Sequence, residues 1–173
     1  MKNRKRLLLS FVVICVLALF YISYMTFRSG HFTQWSHTEV SREMFEEHQA
    51  VYLGYDFSWE GIGTPILQSI SLYKEDGTLL TEDDGQISIE AFIERTDKYN
   101  KTGAIPEDRA IQEGFTEDYY PVAGYPVKED LRVIFRVELL DIKFEGDIGE
   151  LIIKYKVFGL SQQQSVDFPN IIF

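Results

Sequence analysis

From Val51 to Trp59 the chain reads VYLGYDFSW, with Val51, Leu53, Tyr55, Phe57 and Trp59 alternating with Tyr52, Gly54, Asp56 and Ser58. Successive side chains of an extended strand point to opposite faces, so this alternation predicts a strand with one buried and one wet face. The pattern returns in Ile66, Ile70 and Leu72, and again in Leu131, Val133, Phe135, Val137 and Leu139 against Arg132, Arg136 and Glu138. It recurs in Leu151, Ile153, Tyr155 and Val157 against Lys154 and Lys156.

Turn-forming residues fall between these runs. Trp59 to Pro65 separates the first two, Gly61-Ile62-Gly63 reads as a bend with Trp59 capping the core, and Asp76-Gly77 and Asp84-Gly85 suit tight turns. Glu145-Gly146-Asp147 is expected to close a hairpin, and a last strand to include Val166 and Phe168 before the apolar end Ile171 to Phe173. Strands with one apolar face bury it by stacking as two sheets. The expected fold is therefore mainly β, an antiparallel β-sandwich of immunoglobulin-like architecture over residues 50–173.

A partly helical crossover is expected in the middle of the chain. Ser88 to Gly103 reads as a short helix, with Ser88 as cap, Ile89, Phe92, Ile93, Thr96 and Tyr99 on one face and Gly103 as stop. Pro106 to Gly114 reads as another, opened by Pro106, Glu107 and Asp108. Phe115 to Lys128, with Tyr119, Tyr120, Tyr125, Pro121 and Pro126, reads as an irregular crossover.

Toward the start, Leu7 to Phe27 is a run of 21 residues without a charge, enough for a helix about 30 Å long, the thickness of a bilayer's hydrocarbon. Lys2, Arg4, Lys5 and Arg6 precede it, so the positive-inside rule places residues 1–6 in the cytoplasm and the rest outside. Tyr21 and Tyr24 fall near the outer end, where amphipathic rings prefer the headgroup level. A cleaved signal is disfavoured, since no A-x-A-like site follows the run, and bulky Ile14 before Cys15 argues against lipidation. The expectation is an uncleaved single-pass anchor at 7–27, a polar stalk at 28–49 and an extracytoplasmic domain. Within the stalk, Ser41 to His48 suits a turn or two of helix.

Charge divides along the same line. Residues 1–28 hold five basic residues and no acid, whereas 29–173 hold 12 basic and all 27 acidic residues, a net of −15. An exterior of that sign repels nucleic acid phosphates, so nucleic-acid binding is not expected. Cys15 is the one cysteine, inside the apolar run, so the outer domain has no internal disulfide and must be stable from its core; this composition suits a bacterial surface of the Gram-positive kind.

No residue constellation specifies a catalytic chemistry, a metal or a cofactor. The histidines, His31, His37 and His48, stand 6 and 11 residues apart, wrong for one helical face of a zinc site, and no G-x-S-x-G turn occurs. Glu82-Asp83-Asp84-Gly85 resembles part of an EF-hand loop, but Leu80 and Ala91 would occupy ligand positions, so an acidic turn is the plainer reading. Asn100-Lys101-Thr102 matches a glycosylation sequon. The expected function is a non-enzymatic binding module that contacts another envelope protein or a cell-wall component through Tyr119, Tyr120 and Tyr125. Tyrosine offers large amphipathic contact area at low entropic cost, although the same rings could instead cover a sandwich edge. A calcium- or small-ligand-responsive sensor and a carboxylate-based hydrolase are the alternatives.

Overall fold

The computed structural model describes residues 2–47, 49–80, 85–95, 103–128, 130–144 and 148–173; in the first helix the side chains described are those of Arg4 and residues 10–25. The domain is mainly β with antiparallel sheets, as its alternating runs predicted. One sheet joins β1 (His31–Gln34), β2 (Ala50–Glu60), β7 (Asp130–Leu139), β4 (Ile87–Glu94) and β6 (Tyr119–Pro121) in that order, and β5 (Gly103–Pro106) also pairs with β2. The other joins β3 (Ile66–Lys74), β8 (Ile148–Val157) and β9 (Leu160–Asp167).

Alternation decides which faces meet. Val51, Leu53, Tyr55 and Phe57 of β2 and Leu131, Val133, Phe135 and Val137 of β7 join Leu151, Ile153, Tyr155 and Val157 of β8 in one buried cluster between the sheets. Burial of such apolar surface, at about 25 cal/mol per Å², is the main term holding the sheets together without disulfides.

Residues 88–103 depart from expectation. Ile87 to Glu94 is a strand paired along its length with β7, from Ile87 opposite Leu139 to Glu94 opposite Arg132. ISIEAFIE satisfies period two as well as helical spacing, and the vacant edge of β7 settles the choice in favour of the sheet. Gly103 belongs to β5, and 96–102 lie outside the described residues. The second expected helix is present as α3 (Glu107–Gln112), flanked by Pro106 and by Gly114, whose φ of 74° is left-handed.

The expected stalk is part of the fold. β1 pairs with the end of β2, and the side-chain amide of Gln164 both accepts from the Phe32 N–H and donates to the Phe32 carbonyl, each at 2.6 Å, tying β1 to β9. Phe32 and Val40 are buried, and Val40 bridges Ile172 of the apolar C-terminal end. A short α2 (Arg42–Glu47) occupies the expected place; His48 lies outside the described residues. Two isolated apolar residues in a polar stretch gave no periodic signal.

The expected hairpin between β7 and β8 is also absent, since those strands belong to different sheets; 145–147 lie outside the described residues. A two-residue turn, Phe158-Gly159, instead joins β8 to β9. The Asp76-Gly77 turn is present: the Thr78 N–H donates to Asp76 Oδ1 at 2.8 Å, and Gly77 takes φ 82°.

Helix α1 (Lys2–Arg28) precedes the sheets, and every described side chain from Ser10 to Met25 is exposed. Among the described residues no helix is long and apolar enough to cross a membrane.

Candidate functional site

The crossover closes the open side of the domain between the two sheets. After α3, Gly114 turns the chain into a single 3-10 turn at Phe115–Asp118, and β6 pairs with the edge of β4. The chain then runs beside β3: the Leu67 N–H donates to the Tyr125 carbonyl at 2.9 Å, while the Gly124 and Val127 N–H groups donate to the Leu67 and Pro65 carbonyls at 2.8 Å. With Val122 and Val127 buried beneath, this segment is a fixed edge carrying its other side chains outward.

The three candidate tyrosines separate. Adjacent residues of a strand face opposite ways, so Tyr119 and Tyr120 cannot share a surface. Tyr119 packs on the outer face of the larger sheet, stacked on Phe92 at 6.2 Å and tilted against Tyr52 at 5.2 Å, in a second apolar cluster with Ala110, Phe115 and Ile134. Burial, assisted by the Glu94 carboxylate, pushes its hydroxyl well above the usual tyrosine range. Tyr120 and Tyr125 instead line one groove with a volume of about 540 Å³, together with Arg95, Pro126, Lys128 and Asp130. The Arg95 guanidinium lies 5.1 Å from the centre of the Tyr120 ring, within cation–π range. Tyr125 is half-buried and rests on the main core.

The groove thus offers two aromatic rings, prolyl surface and two cations, Arg95 and Lys128, on a domain whose overall charge is strongly negative. Its volume falls within the range that small-molecule sites occupy, about 300–1,000 Å³. Flat apolar faces bind rings or peptide planes, and the cations favour a carboxylate or phosphate. Sequence reasoning missed Arg95 and Lys128. Arg95 follows β4 and Lys128 precedes β7, and the pairing of β4 with both β6 and β7 brings them to one groove.

A second polar constellation lies on the outer face of the larger sheet. Asp56, Arg132 and Glu94 stand opposite one another across β2, β7 and β4, and Arg132 donates to Asp56 at 2.7 Å and to Glu94 at 3.2 Å. The carboxylates are only 3% and 6% exposed, and Asp56 Oδ2 has no hydrogen-bond partner among the described residues. Burial raises the Glu94 carboxyl above its usual value against the opposing pull of Arg132. Two rows further along the same face, past Ile134, Arg136 donates to Glu107 at 2.6 Å and to Glu138 at 3.2 Å, which fastens α3 to the sheet. Arg132 thus bonds both sealed carboxylates and ties β2, β7 and β4 together across the sheet.

Of the histidines, His31 lies 3.7 Å from Glu60 and His37 3.3 Å from Glu39, with the His37 ring against Tyr55 and Phe168. Among the described residues no three His, Cys, Asp or Glu side chains gather as a metal site. The acidic turn at 82–84 and the sequon at 100–102 lie outside the described residues, whereas Gly85, within them, takes φ 69°.

The chain matches no protein-family model and no curated protein. Among solved structures it is similar to a family 123 glycoside hydrolase from Clostridium perfringens, at 8% identity and a TM-score of 0.35, over 81% of this chain and 26% of that one. The chain therefore spans about a quarter of that protein's length.

Proposed function

We propose that this chain is a membrane-anchored, extracytoplasmic binding module and not an enzyme. The observation that carries this reading is the groove on the crossover, where Tyr120, Tyr125, Arg95 and Lys128 converge on a fixed edge. Its ligand is a partner at the cell envelope, a protein segment or a wall component, that presents a flat apolar face beside an anionic group.

The anchor reading draws on α1. Leu7 to Phe27 is uncharged and lies within the helical span Lys2–Arg28, and the described side chains from Ser10 to Met25 are exposed on every face. A helix that is apolar all round needs an apolar surround, and a bilayer supplies one. Basic residues before it favour a cytoplasmic start. The strand order supports an immunoglobulin-like sandwich: β1-β2-β7-β4 on one side and β3-β8-β9 on the other reproduce the four-plus-three order of constant-type domains, with the crossover inserted between β4 and β7.

The test is crosslinking in intact cells followed by capture of the full chain. Tyr120→Ala with Tyr125→Ala should lose the captured partner while circular dichroism stays unchanged. Undiminished capture by the folded double variant would remove the groove from the proposal.

A further inference from the structure

The end of the domain that α1 enters is unusually crowded. Gly30, two residues beyond α1, is buried under Trp59, and its carbonyl accepts from the Tyr155 hydroxyl at 3.2 Å. A Cβ on Gly61 would lie 2.6 Å from the Gly30 Cα, and one on Gly63 would lie 2.5 Å from Phe158 Cζ. The β2–β3 loop and the β8–β9 turn are therefore packed around the point of entry. Ile62 (54% exposed) and Phe158 (53%) project from these two loops, with Ile66 and Leu160 exposed beside them.

Phe158 is also strained. Phe158 and Gly159 form the centre of a two-residue hairpin with φ of 51° and 80°, the pattern of a turn that favours Asn-Gly. It is the one non-glycine residue with positive φ among those described. Its ring lies over Gly63 and still leaves half its surface exposed, and backbone strain at such an exposed aromatic tip points toward function.

Two peptide units span at most about 8 Å, so Gly30 cannot stand further than that from the last residue of α1. With no stalk between them, a membrane-spanning α1 would bring this end of the domain to the bilayer surface. We propose that Ile62 and Phe158 insert into the interfacial layer of the outer leaflet and seat the domain on the lipid in one orientation, an inference that rests on the anchor reading above. Exposed Lys156 on β8, opposite Ile66, lies toward the same end and suits lipid phosphates, although Glu60 accompanies it. Apolar tips flanked by basic residues are a general solution for binding an interface.

The test uses the full chain carrying Cys15→Ser and a single reporter cysteine, Phe158→Cys, Ile62→Cys or, in the β3–β4 turn at the opposite end, Thr78→Cys. Each is labelled with a small fluorophore and reconstituted into phosphatidylcholine–phosphatidylglycerol vesicles containing nitroxide-labelled lipid. Quenching is expected to be several-fold stronger at positions 158 and 62 than at 78. Equal quenching at all three, in protein that floats with the vesicles, would overturn the docking while leaving the anchor intact. Protein that fails to float would overturn both. Phe158→Asn supplies a variant that suits the turn: it should raise the melting temperature and yet reduce quenching of the label at 62. Unchanged quenching there would remove Phe158 from the docking surface.

Discussion

Gly61 lies against Gly30 so closely that a single methyl group on Gly61 would come 2.6 Å from the Gly30 Cα. That contact fixes where the chain enters the domain, because backbone meets backbone and neither can yield as a flexible side chain would. Gly61→Ala should therefore destabilise the domain by about 1–3 kcal/mol, the usual cost of overpacking. Urea denaturation of the full chain in detergent, followed by the fluorescence of its two tryptophans, Trp35 and Trp59, reads it.

Arg132 is the shared partner of two sealed carboxylates. Arg132→Met would leave Asp56 and Glu94 buried without a countercharge, and the expected loss is about 3–5 kcal/mol. Replacing all three with apolar residues of similar volume should cost much less. A triple variant as unstable as the single one would show that the network supplies net stability of its own.

The Glu94 carboxyl is raised in the folded state, chiefly by burial, from a reference of 4.5. The folded protein holds this proton at pH values where the unfolded chain has released it, so the contribution of Glu94 is most favourable below the unfolded value and declines as pH rises through the folded one. The melting temperature of Glu94→Gln relative to the native chain should thus improve between pH 4 and pH 7. A difference that stays constant over this range would contradict the raised value.

The tyrosines should behave in two ways. Tyr119→Ala empties a packed site between Phe92 and Tyr52 and should cost about 3 kcal/mol or more, with capture of the envelope partner preserved where the variant remains folded. Tyr120→Ala should lower capture at a smaller cost in stability. Thermal melts and quantitative capture on the same preparations separate the two effects.

Much of the fold was legible because period two is a strong signal when one face is buried. Val51 to Trp59, Leu131 to Leu139 and Leu151 to Val157 became β2, β7 and β8. β4 was misread since Ile87, Ile89, Ala91 and Ile93 alternate while the capping grammar of Ser88 and Glu90 also fits a helix. Only pairing with β7 chooses between them. β9 was legible only at its end, because LSQQQSVD joins β8 through its backbone and carries few apolar side chains. For the candidate site, the sequence identified the tyrosine-rich crossover but grouped Tyr119 with Tyr120, although strand alternation places neighbours on opposite faces. Arg95 could not be read from the sequence, since its place beside Tyr120 depends on a pairing between distant segments.

The most direct measurement is labelling from outside the cell. In intact cells expressing the full chain with Cys15→Ser and Thr78→Cys, a membrane-impermeant maleimide should modify position 78 to the same extent as after lysis. Labelling that appears only once the cells are broken would place the domain on the cytoplasmic side and contradict an outward-facing anchored module.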